Sequence, residues 1–221
     1  LEEALSGVTR HAARALGLRD RGVITAGGPF EGVRAGFPQA DVVDLRGGNG
    51  VLLPGFVDTH VHYPQVRIIG GLGLPLLEWL DRVALPEEAR LADTGYARSV
   101  AREFLSGLAQ AGTTTALVYC TVHKDSADAL FTESEARNLR MVAGKVLMDR
   151  NCPEFLRDTA QSGYDDSAEL IGRWHNRGRQ MYALTPRFAP TSTEAQLEAC
   201  GVLAGKHPDI FIQSHVAENT D

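Results

Sequence analysis

The sequence predicts an α/β fold built from parallel βα units. From residue 51 onward, apolar strand-like runs alternate with helix-patterned stretches, and five such runs are readable. The side chains able to do chemistry gather at the C-terminal ends of those runs, where parallel α/β folds face their ligands. The opening segment has a different rhythm, short-patterned and rich in glycine, which sets residues 1–52 apart as a smaller β-rich unit.

Each run has its own justification. GVLLPGFVDTHVH comes first and ends on Asp58, His60 and His62. TTTALVYCTVH (113–123) ends on His123. It follows a helix pattern with Val100, Phe104, Leu105, Leu108 and Ala111 on one side and Gly112 as the C-terminal cap. RMVAGKVLMDR (140–150) brings Asp149. QMYALTPRFAP (180–190) follows the helix around SAELIGRWHN and brings Arg187. IFIQSHVAEN (210–219) follows STEAQLEACGVLAGKH and brings His215 and Glu218. Ahead of these, Val23-Ile24 and ADVVDLRG are short strand-like runs separated by the breaker Gly27-Gly28-Pro29. That segment has little core of its own and is not expected to be stable alone.

Composition narrows the class. The 221 residues are 43% hydrophobic and 23% charged, as in soluble globular proteins. A net charge of −6 without a basic cluster argues against a nucleic-acid or acidic-membrane surface. No run approaches the roughly 18 apolar residues of a membrane helix, and no signal segment opens the chain. Three cysteines (Cys120, Cys152, Cys200) without a CxxC fit free thiols in a reducing compartment, so a cytoplasmic location is expected. Leu1 is not an initiator methionine, and the true start is expected to be missing or processed.

The His-x-His at 60 and 62 raises the question of a metal. In a strand, residues i and i+2 share a face, so the two imidazoles project together. HxH alone is a weak signal, and paired histidines at a cavity mouth are the plain alternative. His215 at the end of a later run strengthens the metal reading. Three histidines with one open position would make a catalytic-type zinc site, which acidifies bound water. Glu218, three residues past His215, would then move protons as general acid and base. A solvated surface glutamate is the alternative.

Taken together, PGFVDTHVHYPQ, LPLLEWL, AGTTTALVYCTVH, GKVLMDRN, LTPRFAPTS and QSHVAEN resemble the guanine deaminases of the amidohydrolase superfamily, in order from about residue 50 to 221. HxH after PGFVDTH is shared across the superfamily; PLLEWL with TPRF is more specific to guanine deaminases. The resemblance implies an incomplete (β/α)8 TIM-type barrel, about its first five βα units, over residues 53–221. Residues 1–52 would be part of a small flanking β-rich domain. It implies one zinc ion held by His60, His62 and His215, with Glu218 as proton shuttle in the hydrolysis of guanine to xanthine and ammonia. Gln65, Arg187 and Phe188 would line the purine site, walled by Trp79 and Leu77, with His62, His215 and Glu218 also touching substrate. Arg187 can only donate hydrogen bonds, which suits the O6 acceptor of guanine and not an amino group. Gln65 can donate and accept.

Plainer roles stand beside these. Trp79 fits the core face of an amphipathic helix, and Arg187 could simply pair with a surface carboxylate. His123 and Asp149 have no assignable role and are expected to be structural or solvent-facing. Lys145 within a strand suggests a modified-lysine metal bridge, but the resemblance favours a single zinc. Five runs fall short of the eight strands a barrel needs. The chain is therefore expected to be an N-terminal portion, with a homodimer as the family expectation for a full-length member. The alternatives are an amidohydrolase acting on another purine, pterin or triazine ring, and a noncatalytic remnant.

Overall fold

The computed structural model describes residues 26–42, 53–71 and 73–217. Among them, one parallel sheet carries helices between its strands. Its strands are β1 (Phe56–His62), β2 (Thr113–Tyr119), β3 (Arg140–Gly144), β4 (Val146–Leu147), β5 (Met181–Pro186) and β6 (Phe211–Ile212), every pairing parallel. β3 and β4 are one strand interrupted at Lys145, since both pair β5 in the same register: Val142 with Met181, Val146 with Thr185. The path β1, β2, β3/β4, β5, β6 gives the five strand positions expected, a curled parallel half-barrel. Of the N-terminal region, 26–42 holds the short helix α1 (Phe30–Gly36); the strand-like runs at 23–24 and over most of ADVVDLRG lie outside the described residues.

After β1 a 3-10 turn (Tyr63–Ile68) leads to α2 (Leu76–Trp79), a π-helical turn (Leu80–Ala84) and α3 (Leu85–Ala89). Pro86 explains the wide turn. It has no N–H for the i→i−4 ladder, and its ring crowds the carbonyl four residues back, so the helix opens just before it. α4 (Thr94–Gln110) starts on Asp93, whose side chain accepts the Tyr96 N–H at 2.6 Å. It buries Val100, Phe104 and Leu105 as the pattern predicts, but Leu108 is only half-buried and Ala111, the C-cap, is exposed; Gly112 ends the turn at φ +80°. α5 (Lys124–Arg137), α6 (Ala160–Trp174) and α7 (Glu194–Lys206) follow β2, β4 and β5. Between sheet and helices lies a continuous core that includes Leu105, Val118, Leu130, Phe131, Met141, Trp174 and Leu184. No helix among the described residues is long and apolar enough to cross a membrane.

Besides a register shift between Phe56 and Val57, two interruptions of regular pairing shape the sheet. Pairing of β1 with β2 slips between Asp58 and Val61, a bulge that carries His60. Bulges of this kind re-aim side chains at the rims of barrels. The second is the break at Lys145, whose side chain is fully buried. Its Nζ lies 2.6 Å from Asp158 Oδ2 and 3.4 Å from Asp166 Oδ2, so it serves as an internal ion pair.

At the break β3 and β5 approach closely. A Cβ built on Gly144 would lie 1.9 Å from the backbone oxygen of Ala183, which cannot swing aside. Gly144→Ala is therefore expected to lower the unfolding free energy by about 1–3 kcal/mol. Gly107→Ala on α4, where a Cβ meets nothing within 4 Å, should raise it by about 0.5–1 kcal/mol. Urea unfolding of the two variants checks both signs.

Candidate metal and purine site

The strand ends bring His60, His62 and His215 together. One nitrogen from each lies within 4.8 Å of the others. His62 Nε2 and His215 Nε2 are 3.0 Å apart, and the ring centroids of His60 and His215 are separated by 4.8 Å. His60 stands on the β1 bulge, its backbone N–H accepted by Asp58 Oδ1 at 3.0 Å. His215 was expected to end a strand but lies three residues beyond the two-residue β6. Backbone bonds nonetheless carry the chain on along β5: Gln213 N donates to Leu184 O at 2.9 Å and His215 N to Arg187 O at 3.0 Å.

The same carbonyl orients the His215 ring. His215 Nδ1 lies 2.7 Å from Arg187 O, and an oxygen can only accept, so Nδ1 carries the proton and Nε2 keeps its lone pair. Burial, reinforced by the nearby Arg187, His215 and His60, pushes the His62 pKa down to about 2. Its imidazole is neutral at pH 7, the form that ligates. Imidazoles converging at this spacing, one with its second nitrogen anchored, are a donor set that fits a metal ion.

A cavity beside the triad is lined by His62, Gln65, Leu76, Trp79, Leu80, Arg187 and His215. Five substrate-side expectations, His62, Gln65, Trp79, Arg187 and His215, meet there. Leu77 does not: it is 53% exposed, while Leu76 and Leu80 share the Trp79 side. Helix spacing accounts for this, because 76, 79 and 80 fall at i, i+3 and i+4 and 77 does not. Phe188 is half-buried and is not among the lining residues; it follows Arg187 in extended backbone, where successive side chains point opposite ways. Glu218 lies outside the described residues.

Arg187 is buried, and its partner is Glu88 of α3. Nη1 lies 2.7 Å from Oε2 and Nη2 3.1 Å from Oε1, a bidentate pair with both side chains almost inaccessible. The plain alternative for Arg187 was a surface carboxylate; its partner is instead buried beside the site. Tyr119 was also missed. At the C-terminal end of β2 it stacks on His62 at 4.5 Å and lies 4.3 Å from the His215 ring, forming the floor under the triad. Its position level with His62 in the β1–β2 register is a long-range fact that sequence alone does not reveal.

The other strand-end residues turn elsewhere. Asp149 accepts the Thr193 N–H at 2.7 Å and the Thr193 hydroxyl, fixing the start of α7. His123 borders a separate hollow of about 390 Å³, with Lys124, Asp158 and Asp166. That hollow is larger than the cavity beside the triad, but it contains none of the three convergent histidines.

The amidohydrolase family model matches residues 51–221. The chain belongs to the amidohydrolase family. This amidohydrolase is 53% identical over 209 residues to the probable guanine deaminase of Deinococcus radiodurans, covering 93% of this chain and 47% of that one. To the guanine deaminase of Escherichia coli (strain K12) it is 45% identical over 220 residues, covering 99% and 50%. The crystal structure of guanine deaminase from C. acetobutylicum, with guanine bound in its active site, matches with a TM-score of 0.74 at 30% identity, covering 82% of this chain and 45% of that one. The chain thus spans about half the length of the curated relatives it matches.

With zinc as the probe, His62→Ala and His215→Ala should each weaken binding by more than about 100-fold. Asp149→Ala should leave zinc binding unchanged while lowering the melting temperature. Calorimetric zinc titration of the three variants checks this.

Proposed function

We propose that this chain carries the metal and purine-binding half of a guanine deaminase, which hydrolyses guanine to xanthine and ammonia. One observation carries the reading: the Arg187 guanidinium and the Gln65 amide line the same cavity as His62 and His215. Relatives named guanine deaminase, one of them with guanine bound, support it. The ion is taken to be a single zinc held by His60, His62 and His215. Bound there, zinc would supply a Lewis acid that acidifies water at neutral pH.

The chain's own residues supply the rest. Trp79, Leu76 and Leu80 offer apolar surface to a flat ring and keep water from it. Arg187 donates to the O6 acceptor, which an amino group at that position could not satisfy. Glu218, in QSHVAEN, is assigned the proton traffic between water and the departing amine. Residues 1–52 are assigned to a small β-rich domain beside the barrel. A cytoplasmic location and a homodimer of the whole enzyme complete the reading.

The complete enzyme should act on guanine in preference to 8-oxoguanine, adenine and ammeline. In that enzyme Arg187→Ala should lower kcat/KM for guanine by about 100-fold with zinc content intact. Preference for the triazine, or loss of zinc in that variant, would contradict the proposal.

A further inference from the structure

One carboxylate touches both polar residues of the purine cavity. Glu88 is 1% exposed and grips Arg187 at 2.7 and 3.1 Å. Its Oε1 also lies 3.3 Å from the Gln65 amide nitrogen. A buried ion pair adds little net stability over apolar residues of similar volume. Its distinctive effect is on direction. The guanidinium is a planar fork; with one N–H of each terminal nitrogen bound to Glu88, its plane and its remaining donors are fixed.

The same holds for Gln65. A carboxylate can only accept, so it draws the amide nitrogen inward. The carbonyl oxygen is then the atom Gln65 has left to offer a ligand.

We infer that Glu88 is a positioning residue that fixes Arg187 as donor and Gln65 as acceptor, so that the cavity selects purines bearing an N1–H, C6=O lactam edge. This rests on the guanine deaminase reading and adds a specificity determinant to it. Glu88 does not touch the substrate. It decides which way the two groups that do are facing, and a ring with a bare or amino-bearing C6 leaves the Arg187 donor unmatched.

The test compares the dissociation constants of xanthine, which has the lactam edge, and 2-hydroxypurine, which lacks the 6-oxo group. Both are measured by calorimetry on the zinc-loaded chain, with zinc content checked in each variant. The wild type should prefer xanthine by about 10- to 100-fold. Glu88→Gln should reduce that preference to less than about 3-fold by weakening xanthine alone, and Glu88→Asp should restore part of it. Glu88→Gln leaves a buried guanidinium poorly paired, so the double variant Glu88→Gln/Arg187→Met provides a folded comparison. It should show the same lost preference as Arg187→Met alone. Equal weakening of both ligands in Glu88→Gln, an unchanged preference, or a further loss in the double variant would overturn the role of Glu88 while leaving the deaminase reading intact. A wild type that binds neither purine would overturn both.

Discussion

The backbone and side chain of Arg187 together set the geometry of the site. Its N–H donates to Leu147 O at 3.1 Å, tying β5 to β4, and its carbonyl accepts from both the N–H and Nδ1 of His215. Its guanidinium reaches back 99 residues to Glu88. One residue thus joins the strand ends, the last histidine of the triad and α3. Moving Arg187 would disturb the His215 tautomer and the cavity wall at once.

The electrostatics follow from that arrangement. Desolvation by burial, reinforced by Arg187, His215 and His60, disfavours protonation of His62. The guanidinium would itself be costly to bury alone, and Glu88 compensates it within the cavity. The cavity therefore contains metal-type donors, a paired donor fork and apolar walls.

Much of this was legible in the sequence because it depends on local period. HxH on a strand, the face of α4 and the Gly112 cap all follow from repeats of 2.0 and 3.6 residues. Helix phase also separates Leu76 and Leu80 from Leu77, once Trp79 is taken as the reference. Contacts between distant segments were not legible. The pairing of Glu88 with Arg187, the Tyr119 floor and the Lys145–Asp158 pair depend on which strands become neighbours. The bulge at His60 and the strand break at Lys145 are further departures from regular pairing, imposed by tertiary geometry and invisible to an alternation pattern.

The central claim is that His60, His62 and His215 hold the metal together. X-ray absorption at the zinc K-edge of the zinc-loaded chain tests it most directly. The structure predicts a first shell of nitrogen and oxygen at about 2.0–2.1 Å with outer-shell scattering from three imidazoles. A shell containing sulfur, or one showing a single imidazole or none, would contradict it.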